Sequence, residues 1–373
     1  MRLARLDTSS LRSGPGLPGG FTRRFRTSAE VFGELQAACE TSPHLAAFET
    51  IGHSEEGRPI AGVTLGTGPR TVTLVAGAHA DEPVGPETLR LLVLDGIAAQ
   101  GWGAPDGGLA GLFERFTFRI VPHVNPDAEA RNAPWIRAFD AANRDATLAA
   151  YLRHRLREPP GRDVEFAYPD ARPETAAATR FLFGAGPPVL HASLHGMGFA
   201  EGALLLIDRD HLAAPGTAAL RAGFSEAAAA AGLRLHDHDR GGDKGFLYGG
   251  PGFTSTPRGV AMRDHFLALG DTETAARFGL SSMETAALAS PGAPLAVVTE
   301  LPLFVLDAET DRTDGVPDLL NRWTEAAPAV ASTLAAGGSV ARFADAVGMR
   351  VLDLPTAVGL HLHTLDLALD AVS

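Results

Sequence analysis

The 373-residue chain has a single cysteine, Cys39, a single lysine, Lys244, and three tyrosines. One thiol excludes an intramolecular disulfide and any thiolate zinc cluster, so a metal held here must use histidine and carboxylate. Positive charge is scarce as well: 32 basic residues stand against 44 acidic ones, a formal net charge of -12. Nucleic acid is therefore not the expected partner, because binding a phosphate backbone relies on dense positive charge. No run of 18 apolar residues offers a membrane span. The basic start, MRLARLDTSSLRSGPGLPGG, lacks the apolar core of a signal peptide. The expectation is a cytoplasmic protein with no membrane partner and with residues 1–20 disordered.

The remainder has the composition of an ordinary folded domain, 45% hydrophobic and 20% charged, with enough length for a sizeable core. Helical spacing appears at 28–39, with Ser28 as N-cap, and again at 87–99, 174–183, 217–231 and 317–335. Short β-branched or apolar runs at 60–65, 71–76, 116–124, 189–194, 203–207 and 295–299 read as strands. Strands alternating with helices predict an α/β fold: a single domain with a central mixed, mostly parallel twisted sheet flanked by helices. The catalytic domain is placed at 21–336, and 337–373 is read as a helical C-terminal tail packed on it. Residues 234–271, rich in Gly, Asp and His, are the least regular stretch.

Three of these strands lead into polar residues, and open α/β sheets bind ligands outside the carboxyl ends of their strands. The run 71–76 delivers His79, which opens the H-x-x-E element His79-Ala80-Asp81-Glu82. The run 189–194 leads to His195, followed by a glycine that frees space. Two imidazoles and a carboxylate suit a catalytic zinc ion, which takes three protein ligands and keeps a position open. His191 competes with His195, since alternation puts both on one side of the strand, but only 195 reaches the strand's mouth. The run 295–299 ends at Glu300, a carboxylate whose burial without a charge partner would be costly. Beside a metal it could take a proton from water and pass it to a leaving amine.

His236-Asp237-His238-Asp239 reads as a polar loop, because neighbours on an extended chain point to opposite sides. The glycines at 249–252 lack the strand-turn-helix setting of a phosphate loop. Ser193 does not lie in a G-x-S-x-G elbow. Met283 and Glu284 are possible pocket residues.

HADE at 79–82, NPD at 125–127, Asn143-Arg144, SLH at 193–195 and TEL at 299–301 occur in that order. With GRPI at 57–60 and RPET at 172–175, they resemble the zinc carboxypeptidases of the carboxypeptidase A type over residues 25–305. The resemblance implies one zinc ion per chain on His79, Glu82 and His195, with Glu300 as general base. It also implies Asn143 and Arg144 as binders of the substrate's terminal carboxylate. Arg137, with Arg131 as rival, becomes the arginine that polarises the carbonyl. Two departures are visible: no tyrosine precedes Glu300 by some twenty residues, and Ala128 stands where the family has glycine.

The function implied is zinc-dependent hydrolysis of an amide bond next to a free carboxylate, in a peptide or an N-acyl amino acid. An aspartoacylase-like deacylase and a non-catalytic metal-binding protein are the alternatives. Asn143 and Arg144 in the pocket would favour the carboxypeptidase, and a narrow pocket without them the deacylase.

Overall fold

The computed structural model describes residues 24–100, 108–162, 164–308, 312–313 and 315–373. The expected disorder of 1–20 lies outside them. The chain opens with α1 (Ser28–Thr41), β1 (Ala46–His53), β2 (Pro59–Leu65), β3 (Arg70–Ala76), α2 (Val84–Gln100), α3 (Gly108–Arg115) and β4 (Phe116–Val121). There follow α4 (Pro126–Arg137), α5 (Arg144–His154), α6 (Pro173–Phe183), β5 (Pro188–Ala200), β6 (Gly202–Ile207), α7 (Ala218–Ala230), β7 (Arg234–Leu235) and β8 (Phe253–Ser255). The last part holds α8 (Gly259–Ala268), α9 (Thr272–Ala275), α10 (Ser282–Ala289), β9 (Leu295–Val305), β10 (Arg312–Thr313), β11 (Val316–Pro317), α11 (Asp318–Ala335), α12 (Ala341–Ala346), β12 (Arg350–Val351) and α13 (Leu354–Ala371).

One mixed sheet of ten strands organises the fold, in the order β1-β2-β4-β3-β5-β9-β6-β7, with β8 on β6 and β12 on β9. Its centre, β4-β3-β5-β9, is parallel, and antiparallel pairs flank it at β1/β2, β2/β4 and β6/β9. The central strands are buried on both faces, as parallel strands between helix layers must be. On β3, Val72, Leu74 and Ala76 join the larger core, while Val75 faces a second core with Ala177, Phe181 and Leu182 of α6. Helices α2, α7 and α13 pack together on the first face, and α6 and α10 cover the other. Each fully buried Leu or Val of these strands contributes roughly 1.5–3 kcal/mol.

Some boundaries differ from the sequence reading, for local reasons. The N-cap of α1 is Thr27, whose side chain completes a capping box with Glu30, and Ser28 is already helical. NPD is not a loop: Asn125 caps α4 by accepting from the amide of Ala128, and Pro126 takes the first helical position, where its missing N–H is harmless. Asp127 then reaches across to the β1–β2 turn, taking Ser54 Oγ at 2.6 Å, the Glu56 amide at 2.9 Å and Arg58 at 2.7 Å. The GRPI and NPD segments are thus two halves of one structural joint.

Strands β5 and β9 do not stop at His195 and Glu300. They stay paired as far as Ala200 and Val305, with His195 level with Glu300. Strand β3 does stop, at Ala76, and Gly77 turns the chain at φ 76° with its Cα so close to His123 that a Cβ would sit 2.5 Å from the ring. That turn starts the loop bearing His79 beside the part of β5 that runs on past the end of β3.

Candidate active site

Three segments of the chain meet at one point. His79 leaves the end of β3, Glu82 lies just before α2, and His195 lies on β5. One ligand atom from each falls within 4.8 Å of the others. His79 Nδ1 is 3.1 Å from Glu82 Oε1, and His195 Nδ1 is 3.0 Å from Glu82 Oε2. Both imidazoles therefore aim the same nitrogen at one carboxylate. Gly196 follows at close quarters: its amide donates to Glu82 Oε2 at 3.3 Å, and a Cβ would stand 3.2 Å from the Leu301 carbonyl oxygen. Burial alone would raise the Glu82 carboxyl, but the two histidines hold it well below the ordinary carboxylate range.

The far edge of His195 is held too. Its Nε2 lies 2.8 Å from Ser193 Oγ and 3.3 Å from Glu165 Oε2. Burial would lower the His195 pKa, yet Glu165 and Glu82 together raise it well above the usual histidine value. A carboxylate behind a ligating histidine fixes the ring's orientation and tautomer. Glu165→Gln should weaken zinc binding about 10- to 100-fold in a competitive chelator titration. An unchanged affinity would show that Ser193 alone orients the ring.

Glu300 sits level with His195 on the next strand, and its Oε2 is buried without a hydrogen-bond partner. Burial and the Glu82 carboxylate push its pKa up to about 8, against the pull of His195, His79 and Arg240. A carboxyl tuned near neutrality can both accept and donate a proton.

These residues open into a cavity of about 770 Å³. Leu204, Leu206, Met283 and Val298 give it an apolar floor, while Phe199 and Trp323 line another part of it. Its cations are Arg155, Arg157, Arg240 and Lys244. Arg155 is tied to Asp81 at 2.9 Å, and Arg157 stands looser, at 3.9 Å from the same carboxylate.

The structure brings His79, Glu82, His195 and Glu300 together and places the assigned arginines and Asn143 away from them. Arg131 pairs with Glu56 on the exterior, and Arg137, half-exposed, faces Glu30 at 3.5 Å. Asn143 caps α5 through the Ala146 amide, and Arg144 is bound by Asp145 at 2.7 Å and Asp345 at 2.8 Å. None of the four lines the cavity. The cause is the helix begun by Asn125 and Pro126: it buries Ala128, Asn132, Trp135 and Ile136, which turns 131 and 137 outward. His191, the competing ligand, is a core residue with both ring nitrogens occupied, by Thr73 at 2.9 Å and Ser282 at 3.0 Å. Met283 lines the cavity, whereas Glu284 caps α10. None of the three tyrosines reaches the cavity.

Sequence reasoning missed Glu165, Arg155, Arg157 and the pair Glu201–His236, joined at 2.9 Å with His236 on the cavity wall. A signal existed for Glu165, a lone carboxylate between Val164 and Phe166. The arginines carry no such mark, because they fall in a run of ionisable residues, Arg153 to Glu158, broken only by Leu156.

The donor set of two imidazoles and one carboxylate fits zinc, which accepts these ligands in catalytic sites. No helix among the described residues is long and apolar enough to cross a membrane.

The family model described as "Zinc carboxypeptidase" matches residues 33–136. That stretch contains His79, Glu82 and the NPD segment and leaves His195 and Glu300 beyond it. No curated protein matches the sequence. Among solved structures, the thrombin activatable fibrinolysis inhibitor is similar at 17% identity and TM-score 0.39, covering 61% of this chain and 60% of its own. A metallo-carboxypeptidase from Burkholderia cenocepacia is similar at 17% identity and TM-score 0.46, over 93% of this chain and 69% of that one. Carboxypeptidase A from Helicoverpa armigera is similar at 14% identity and TM-score 0.49, over 99% and 79%. The chain thus spans less than two thirds of the first of these and more of the other two.

Proposed function

Starting from a chain that carries the zinc carboxypeptidase sequence pattern over residues 33–136, we propose that it is a metal-dependent amide hydrolase whose substrate is a short peptide or an N-acyl amino acid. The observation that carries this reading is the placement of Glu300, level with His195 and carrying an unpartnered, buried carboxylate oxygen. A zinc ion held by His79, Glu82 and His195 would supply Lewis acidity toward a carbonyl and make water a stronger acid. Glu300 takes the proton from the attacking water and returns it to the departing amine. Glu165 and Ser193 keep the His195 ring in place through both steps. Arg157, on the cavity lining, with its pKa raised against desolvation by Asp81 first and then by Glu82, is the arginine assigned to the developing oxyanion.

The carboxypeptidase form of this reading requires a group for the terminal carboxylate, a role that falls to Arg155, since Asn143 and Arg144 do not line the cavity. The deacylase form is favoured by that same absence. A panel of free peptides, C-terminally blocked peptides and N-acyl amino acids, given to the zinc-loaded protein, separates them. Fast hydrolysis of free peptides and slow hydrolysis of blocked ones is expected. Turnover confined to N-acyl amino acids would select the deacylase, equal rates on blocked and free peptides would end the exopeptidase reading, and no turnover of any member would overturn the proposal.

A further inference from the structure

The row of functional residues continues sideways across the sheet. Glu300 pairs with Leu204 on β6, and β7, alongside β6, runs into His236. From there His236, His238, Arg240, Lys244 and Phe246 all line the cavity. This segment has little regular structure, yet it is pinned at several points. His236 Nδ1 and the Asp237 amide are both held by Glu201 at 2.9 Å, Tyr248 donates to Asp237, and the Asp239 amide donates to Gly315 O at 2.8 Å. Lys244 lies in the left-handed region at φ 52°, between Gly242 and Gly245, which are there too. A residue with a Cβ held in that conformation is strained, and such strain gathers at ligand-binding segments.

Arg240 stands exposed at the mouth with its guanidinium carbon 4.0 Å from the centroid of the Phe246 ring. Phe246 in turn belongs to the apolar floor with Leu204, Leu206, Met283 and Val298. The nearby acids have other partners: Glu201 holds His236, Asp243 pairs with His265 at 2.8 Å, and Asp239 accepts from the Gly241 amide at 2.9 Å. Among the described residues neither Arg240 nor Lys244 forms an ion pair, whereas Arg155 does. The cavity therefore has a hydrolytic end at Glu300 and, past an apolar floor, a cationic end whose Arg240 feels the charges of Glu300 and Asp243 but is ion-paired with neither.

We propose that Arg240, assisted by Lys244, binds a side-chain carboxylate of the substrate, so that the compound hydrolysed carries an acidic residue over the Phe246–Met283 floor. The assignment rests on the amide-hydrolase reading and adds the substrate class. A guanidinium stacked on an aromatic ring presents a planar fork that matches a carboxylate bidentately. A carboxamide of the same shape forfeits the charge and half of the acceptors.

The test compares N-acetylleucyl-glutamate with N-acetylleucyl-glutamine, and N-acetylglutamate with N-acetylglutamine, on the zinc-loaded full chain. Charge-assisted hydrogen bonds predict an acid-over-amide preference of about 10- to 100-fold in kcat/KM. Arg240→Gln should abolish the preference, Lys244→Met should reduce it, and Arg240→Lys should keep part of it. Calorimetric binding of the same pairs to the Glu300→Gln protein should reproduce the order without turnover. Equal handling of acid and amide by the unmodified protein, or a preference undiminished in Arg240→Gln, would overturn the assignment. Binding preference lost with Arg240 in a protein that hydrolyses none of the four compounds would sustain the anion site and overturn the reaction.

Discussion

Replacing Glu300 by Gln should lower the hydrolytic rate by about 100- to 10,000-fold, the range for losing a general acid–base group, while zinc stays bound at wild-type stoichiometry. The side chain keeps its shape but loses its charge, one acceptor oxygen and the capacity to carry a proton. It touches neither His79 nor Glu82 by hydrogen bond, and both histidines address Glu82 instead. The carboxyl also sits where its tuning is useful. Burial and Glu82 raise it to about 8, and the amide that replaces it has no titration at all. Single-turnover rates alongside metal analysis check both halves. An unchanged rate with zinc retained would remove Glu300 from the mechanism.

The second large effect concerns the metal ligands. His195→Ala should weaken zinc binding by more than about 100-fold, since even partners behind a ligand are worth 10- to 100-fold. The loss extends beyond one donor, because Glu82 and Glu165 both lean on this imidazole, at 3.0 and 3.3 Å. Two buried carboxylates would then lose their shared partner, and breaking a buried pair destabilises by roughly 3–5 kcal/mol. Thermal unfolding makes the distinction visible. For the wild-type chain, free zinc at a hundredfold excess over its Kd should add about 2.7 kcal/mol of stability, and for His195→Ala at the same concentration it should add almost nothing. Equal stabilisation of both proteins would place the zinc elsewhere.

How much of this was readable in the sequence depended on contrast. His79, His195 and Glu300 stand at or beyond the ends of apolar runs, so a polar residue there is conspicuous, and the order of the sheet then brings β3, β5 and β9 side by side. Where the strands would stop was not readable, because His195 and Glu300 continue to pair with each other past the site. The arginines failed for a different reason. Arg131 and Arg137 were assigned from the resemblance alone, but their direction is set by the buried stripe of α4, and that stripe points them at Glu56 and Glu30. In HDHD, alternation correctly separated His236 from Asp237, yet burial of His236 against Glu201 depends on a contact 35 residues away. Glu165 is similar, since its partner His195 lies on another element.

Crystals grown with equimolar zinc and measured at the zinc absorption edge address the central claim most directly. One anomalous peak is expected per chain, about 2.0–2.2 Å from His79 Nδ1, His195 Nδ1 and a Glu82 oxygen, with the Glu300 carboxylate beside it and not bound to it. A peak at His236 and His238, at any other group of residues, or at no ordered position would contradict the account.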